Sequence, residues 1–533
     1  MKKCRYSETK RINFEKKFII ILKGKIYIQD WKAYKPYNGH SASDLFYLKV
    51  ANEVNDELIF YFGSIFESDI DPHLFSCFIT SYFEDVISKT RIFDTFRKKH
   101  QEMYGKKMPF FDCNDAYLDD EINPEDIAFL TWYFINTSSK DRVIHPNIEL
   151  LLKIANDIID VFDRHYEYAP ENTVLQSCYT LEIKDDFIDQ FFEIRKLMEK
   201  LFLESYLFIP DIGQRYSEKL EEIKDVEQLE YISQLLYAVT TEFILNQKTR
   251  LLHLRSNELV AEYLGKEHPL YTSISSISVM LQGNFVVEEI DNNYLFLNHL
   301  ASDKKISLVK KSYNNPTITK NQAINIGLIR FNNEWIHVGI SYNINVSESM
   351  IAEERNDFYK SILFNSVFKD EDLIHENLCL QQKAFYRITD EKDYIFLKES
   401  EINQFLEDLK IASSHPERAK KFISEIDKNE ENVFTLFFNP KSGIEVLENI
   451  QGAFLEENNQ FLTKKNSKTD FPYLFLSDNA SIEIVQYCLK QFKNKIPFFN
   501  LNDRDIYLSN LDFSLRFFKP NNYLSEPSLK FIK

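Results

Sequence analysis

Phe285-Val286-Val287, Tyr294-Leu295-Phe296-Leu297, Lys305-Ile306-Ser307-Leu308-Val309, Ile326-Gly327-Leu328-Ile329-Arg330-Phe331 and Trp335-Ile336-His337-Val338-Gly339 follow one another between residues 285 and 339. Each run is short, rich in β-branched and aromatic residues, and bounded by polar residues, which marks strands rather than helices. Asp291-Asn292-Asn293 and Asn332-Asn333 separate consecutive runs, and asparagine tolerates the positive φ of tight hairpins. Five short strands in so little chain predict a small barrel-like module over 275–346, SH3-like or OB-like, that closes its own edges. Helical texture on both sides makes the chain α+β.

Toward the N terminus, Ser43-Asp44 caps a helix carrying Leu45, Leu48, Val54 and Leu58, and helical periodicity recurs over 74–89, 148–165 and 185–204. Asn123-Pro124-Glu125-Asp126 is a helix start, with a cap residue, proline at the first position and acids in the first turn. That helix carries Phe129, Leu130, Trp132, Tyr133 and Phe134. Two more helices are predicted over 217–264, and Lys25-Ile26-Tyr27-Ile28-Gln29-Asp30-Trp31 alternates like a short strand. Toward the C terminus, a strand at Tyr394-Ile395-Phe396-Leu397 precedes a helix starting near Ser400. Val433-Phe434-Thr435-Leu436-Phe437-Phe438 reads as a buried strand, followed by a loop at 439–443 and a helix from Ile444 onward. The expected organisation is a basic leader (1–24), a mainly helical domain (25–270), the β-barrel-like module (275–346), a helical connector (347–430) and a C-terminal α/β module (431–533).

A chain of 533 residues exceeds what one core supports, since single cores stop growing at about 250–300 residues. The 46 Phe and 29 Tyr against 11 Gly imply aromatic cores and few tight backbone approaches to ligands. Cysteines at 4, 77, 113, 178, 379 and 488 form no CxxC pair, which favours a reducing compartment. Phe18-Ile19-Ile20-Ile21-Leu22 is too short for a signal-peptide core or a membrane span. A cytoplasmic protein without membrane insertion is expected. The formal charge is −18, yet residues 1–35 carry eleven Lys or Arg against Glu8, Glu15 and Asp30, a local +8 that leaves −26 for the remainder. Most of the surface therefore repels nucleic acid, and only the leader reverses that.

No two glycines are closer than nine residues. That spacing excludes GxGxxG, GxxxxGK[ST] and GxSxG, whose glycines let the backbone approach phosphate or turn sharply. No HExxH or HxH occurs, and Asp112, Asn114, Asp119 and Asp120 lack the glycine and terminal acid of a calcium loop. Glu182-Ile183-Lys184 and the pair Arg330/His337 are nuclease-like only in spacing. No cofactor or metal is expected, and no catalytic residue is identified. Two places remain as candidate sites. Asn439, Lys441, Ser442 and Gly443 offer donors to an anion at a helix N terminus, with Arg516 as a basic residue facing them; the alternative is an ordinary connection. Tyr294, Phe296 and Trp335 offer stacking surfaces to nucleic acid or peptide; the alternative is core packing.

Lys25 through Trp31, continuing over Pro36-Tyr37 and Asp44 to Tyr47-Leu48-Lys49-Val50-Ala51-Asn52, resembles the opening of an uncharacterised bacterial domain family. Phe438-Asn439-Pro440-Lys441-Ser442-Gly443-Ile444-Glu445 and the closing Leu511-Asp512-Phe513 with Arg516-Phe517-Phe518 are similar to its later portion. The resemblance spans 25–523 and implies a bacterial, cytosolic origin without implying a reaction.

Three functional classes follow. The leading one is a non-catalytic interaction or scaffold protein acting through a protein partner, because aromatics supply interface anchors while catalytic spacings are missing. The second is a nucleic-acid-associated factor, in RNA handling or defence against foreign DNA, resting on the leader and the barrel-like module. The third is an enzyme with dispersed acids and histidines, which a pocket with convergent carboxylates would favour.

Overall fold

A computed structural model describes residues 24–58, 61, 70–138, 143–146, 149–222, 232–313, 315–358, 371–424, 426, 432–492, 495–496 and 501–523. The basic leader, apart from Gly24, lies outside them. The chain divides into two compact units, Met1–Leu229 with Leu254–Ser275, and Glu230–His253 with Ser276–Lys533. Among the described residues no helix is long and apolar enough to cross a membrane.

The first unit is helical. Its elements are α1 (Ile28–Lys32), α2 (Asp44–Leu58), α3 (Pro72–Ile87), α4 (Ile92–Tyr104), α5 (Pro124–Ser138), α6 (Glu149–Tyr166), α7 (Thr173–Cys178), α8 (Phe187–Leu203) and α9 (Gln214–Glu221). The chain then contributes α10 (Ile232–Asn246) to the second unit and returns with α11 (Ser256–Leu264) and α12 (Tyr271–Ser275). Local caps start several of these helices. Asp71 accepts from the His73 amide ahead of a proline at the first position of α3, and Asp186 accepts from the Ile188 and Asp189 amides of α8. The core is aromatic, with Phe83 stacked on Phe162 at 4.6 Å, Phe96 on Phe129 at 5.2 Å, and Phe110 edge-on to Trp132 at 4.8 Å. Each such side chain contributes about 2–3 kcal/mol on burial, with a further ~1 kcal/mol from ring geometry.

One local expectation is corrected here. Residues 28–32 are helical, not a strand. The Asp30 carboxylate accepts from the Tyr27 amide at 2.9 Å, and the Asn52 side chain takes both backbone groups of Ile26, at 2.9 and 3.2 Å, as a strand partner would have done. Trp31 is buried, donates its indole N–H to Asp44 at 3.2 Å, and lies under the Lys35 ammonium, which pairs with buried Glu84. The start of α4 carries no side-chain cap of its own; Asp85 on α3 accepts from its first amides, and Arg91 before it is left-handed at φ 59°.

The second unit contains the predicted five strands, β1 (Leu281–Ile290), β2 (Tyr294–His299), β3 (Lys305–Val309), β4 (Ala323–Phe331) and β5 (Glu334–Asn343). β1 is central, pairing over 281–286 with β4 and over 285–290 with β2, while β3 follows β2 and β5 follows β4. The roll is pinned, not closed by a ladder: β3 and β5 meet in parallel at the single pair Leu308–Trp335. The module is therefore a mixed, barrel-like sheet of order β1-β2-β3-β5-β4. Alternation sends Phe285, Val287, Leu295, Leu297, Ile306 and Leu308 inward. The β4–β5 hairpin turns on Asn332 and Asn333, at φ 49° and 66°. At Gly327 the register shifts, and a Cβ would stand 2.5 Å from the Val338 carbonyl oxygen.

Beyond the module come α13 (Glu348–Phe358), α14 (Glu371–Thr389), β6 (Tyr394–Lys398), α15 (Glu399–Ser414), β7 (Val433–Asn439) and β8 (Gly443–Glu448), followed by α16 (Asn466–Leu476), α17 (Ile482–Phe492), α18 (Leu501–Ser509) and α19 (Leu511–Phe518). β6, β7 and β8 form an antiparallel sheet whose core joins Phe385, Leu397, Phe405, Leu436 and Phe438. The helix expected from Ile444 is instead β8, because Pro440-Lys441-Ser442 forms a hairpin turn and Ile444 pairs back onto Phe438. Buried Lys519 donates to the carbonyls of Leu474, Ser477 and Ala480, tying the end of α19 to that of α16.

Candidate functional site

Three places bring polar side chains together, and they differ in what those side chains already hold.

The first is a cleft of about 540 Å³ in the helical unit, lined by Tyr82, Asp85, Arg91, Arg97, Asp119 and Asp126 among others. Asp85 accepts from the Thr90 hydroxyl at 2.6 Å, the Ile92 and Phe93 amides at 3.0 and 2.9 Å, and the Tyr206 hydroxyl at 2.9 Å. Burial pushes its carboxyl above the ordinary range. Asp126 accepts from the Tyr82 and Tyr117 hydroxyls at 2.8 and 2.7 Å, and burial lifts it to about 6. The Arg97 guanidinium is buried and joins Asp94 to Asp119, while Lys107 covers Asp119 at 2.9 Å and Lys98 covers Asp94 at 2.7 Å. The cleft has the convergent carboxylates that an enzyme reading asks for, but its two buried acids are saturated by donors of the same chain. Neither is placed to take a proton from a substrate without first giving up a structural bond. Sequence reading placed Asp126 in a first helical turn; its inward orientation depends on Tyr82, which lies 44 residues away.

The second place is the outer face of β1, β2 and β3. Tyr294 and Phe296 alternate with the inward Leu295 and Leu297, so both rings lie on this face, 6.4 Å apart and tilted by 45°. Trp335 does not join them: it packs against the module's interior and pins β5 to β3, although its neighbour Glu334 accepts from the Tyr294 hydroxyl at 3.3 Å. Beside Phe296 stand groups that sequence reading passed over, with Glu289 of β1 opposite it and Asn298 after it on β2. Asn298 follows Phe296 on the outward positions of β2, and Asn284 of β1 accepts from the Asn325 amide of β4 at 2.6 Å. The Asn298 carbonyl oxygen is buried without a hydrogen-bond partner among the described residues. On β3, Ser307 lies opposite Phe296 and Lys305 opposite Asn298. The Lys305 ammonium reaches across β2 to Glu288 on β1, at 2.8 Å. The legible signal was the alternation itself, which carries polar amides as well as rings to the outside.

The third place is the β7–β8 turn. Asn439, Lys441, Ser442 and Gly443 do converge, but on acids. The Asn439 carbonyl accepts from the Lys441 and Ser442 amides at 2.8 and 3.3 Å, and its amide donates to Glu445 and to Glu483. Lys441 extends from the surface to Glu483 at 3.3 Å. Burial pushes the Glu445 carboxyl up, and the charge of Glu483 adds to that push. With a strand following the turn, no helix N terminus is present to hold an anion, and two buried carboxyls stand where one would bind. Arg516 is engaged with Asp512, the Leu252 carbonyl and the Tyr523 ring.

The model of the family described as "Protein of unknown function (DUF3843)" matches residues 25–318, more than half of the chain, and the chain belongs to that family. No curated protein and no solved structure matches the chain. The match takes in the helical cleft and β1 to β3 with Tyr294, Phe296 and Lys305; β4, β5 and the β7–β8 turn lie beyond it.

Proposed function

We propose that this member of the DUF3843 family is a non-catalytic cytoplasmic interaction protein that holds a macromolecular partner on the outer face of its five-stranded module. The observation that carries the reading is the contrast in commitment. The titratable groups of the cleft are bonded to one another, whereas the Tyr294 and Phe296 rings stand on a strand face with only each other as described ring partners. Aromatic rings on a rigid sheet bind at low entropic cost, since the backbone that presents them is already ordered. Among the described residues no group of three or more His, Cys, Asp or Glu is placed to hold a metal, so metal-assisted chemistry gains no support from these side chains.

Affinity purification of the full chain from its native cells tests the reading. A stoichiometric partner is expected with the wild type and is lost with the double variant Tyr294→Ala/Phe296→Ala. Recovery of the bait alone, together with turnover of a small molecule by the purified chain, overturns it in favour of the enzyme class.

A further inference from the structure

Resting on that reading, we propose that the segment of the protein partner seated on this face is basic, with an arginine side chain lying over the Tyr294 and Phe296 rings between Glu289 and Glu334. The two rings alternate along β2 on the outside of the sheet, 6.4 Å apart and tilted by 45°. Each is half-buried, so the sheet holds one side of the ring and leaves the rest open to an occupant. A guanidinium placed between them comes within the ~6 Å of a ring centroid over which a cation is attracted to the π face.

Charge selects the sign of the occupant. Residues 276–346 carry six Lys or Arg against five Asp or Glu, so the module as a whole is close to neutral, yet four of its five acids stand around the rings. Glu289 of β1 is directly opposite Phe296, with Glu288 before it at the register shift. Glu334 at the start of β5 accepts from the Tyr294 hydroxyl at 3.3 Å, and Asp291 accepts from the Asn293 amide at 2.7 Å in the turn before Tyr294. Two of the four have a cation beside them: Lys305 pairs with Glu288 at 2.8 Å, and Lys310 is bound at the Asp291 carbonyl at 2.9 Å. Glu289 and Glu334 are in no ion pair among the described residues, and they lie on opposite sides of β2. The charge of Glu334 pushes the Tyr294 hydroxyl up, and the same field draws a cation to the ring.

Arginine suits this combination of groups. Its planar guanidinium stacks on an aromatic ring while its edge N–H groups reach carboxylates on either side. Nucleic acid is disfavoured by the same acids, which repel phosphate. Receiving the partner as an added strand needs an open sheet edge, and here the two outer strands meet at Leu308 and Trp335, so side chains carry the contact. The chain's formal charge of −18 adds a long-range attraction for a basic segment.

The experiment uses the full purified chain with short fluorescent peptides of one length, in which glycine and serine alternate with arginine, lysine or glutamate, and with a mixed-sequence single-stranded RNA. Anisotropy is read at about 0.15 M salt, where distant surface charges are screened. The arginine peptide should bind best and the lysine peptide more weakly, with no binding of the glutamate peptide or the RNA. Phe296→Ala and Tyr294→Ala should each weaken arginine-peptide binding by about fivefold, while Phe296→Tyr and Tyr294→Phe retain it. Glu289→Gln and Glu334→Gln should each weaken it by about threefold and flatten its salt dependence. Lys305→Gln, which uncovers Glu288, should tighten it. Unchanged melting curves show that these surface variants fold. Equal binding of the arginine peptide by the wild type, the ring variants and the acid variants overturns the proposal, because the general acidity of the chain then accounts for it. So does binding of the RNA that the ring variants abolish. In either case, capture of a partner from native cells that is lost with Tyr294→Ala/Phe296→Ala and kept with Glu289→Gln/Glu334→Gln leaves the interaction reading standing with an occupant that is not basic. If the ring variants alter neither peptide binding nor capture, both fall.

Discussion

The helical cleft and the strand face each gather polar side chains, and they have opposite histories of hydrogen bonding. In the cleft, Asp85 binds four donors and Asp126 binds two tyrosines, all from the same chain. On the strand face the Tyr294 and Phe296 rings are outward and touch only each other among described ring contacts, with the Tyr294 hydroxyl donating to Glu334 and Lys305 paired with Glu288 nearby. A buried carboxylate that lost its donors would pay a large desolvation cost, so the cleft's geometry is what folding requires. Nothing in the module's stability requires two aromatic rings and an asparagine on its outside. Volume and acid count favour the cleft as a site; the bonding of the individual groups favours the face.

The comparison breaks most directly at Asp85. Asp85→Ala leaves two hydroxyls and two helix amides without their acceptor and removes the start of α4. A loss of about 3 kcal/mol or more is expected, visible as an early unfolding transition in a urea titration followed by circular dichroism. A loss under about 1 kcal/mol would mean that the donors find other acceptors, and the cleft's acids would regain standing as a functional cluster.

Gly327 sharpens the other side. Its Cβ would stand 2.5 Å from the Val338 carbonyl and from the Met280 methyl, and the backbone oxygen cannot yield. Gly327→Ala should destabilise the module by about 1–3 kcal/mol, with stability and ligand capture lost together. Phe296→Ala, in contrast, should lose capture alone. The two variants separate a damaged platform from a missing contact.

These cases also show how much was legible in the sequence. The five strands, their asparagine turns and helices such as α3 and α5 could be read because each signal, whether periodicity or a proline start, lies within a few residues of the element it makes. Elements organised from a distance could not. The start of α4 depends on Asp85, the helical turn at 28–32 on Asn52 and Asp44, and the inward turn of Asp126 on Tyr82. The segment after Gly443 misled for a different reason: Ile444-Glu445-Val446-Leu447-Glu448 satisfies a short helical or a strand pattern equally, and pairing with β7 decides it. At the candidate face, Tyr294 and Phe296 were found from their alternation, whereas Glu289 was not, because its place opposite Phe296 requires the β1–β2 register.

Asp126 gives the comparison a pH dependence. Burial lifts its carboxyl to about 6, whereas in the unfolded chain it titrates near ~4. Between these values the folded chain holds a proton that the unfolded chain has released, so this group's contribution to stability falls as pH rises from ~4 to about 6. A shift of roughly two pKa units corresponds to about 3 kcal/mol. The wild type should therefore lose stability relative to Asp126→Asn across that window, with the difference level above it. A difference independent of pH would show that Asp126 stays ionised and is better solvated than its burial implies.

The smallest effect is expected at Lys441, where the turn resembles an anion site in sequence and not in structure. Its ammonium extends from the surface to Glu483, and the side chain is more than half exposed. An exposed pair of this kind contributes about 1 kcal/mol or less, so Lys441→Ala should leave the melting temperature nearly unchanged. The turn's two amides are already taken by the Asn439 carbonyl, and Glu445 and Glu483 repel an incoming anion. Inorganic phosphate should then raise the melting temperature of neither the wild type nor the variant. Stabilisation of the wild type by phosphate, abolished by Lys441→Ala, would show that the turn opens to hold an anion after all. In that case a group engaged with its own chain could still serve a ligand, and the separation between the cleft and the strand face would lose its physical basis.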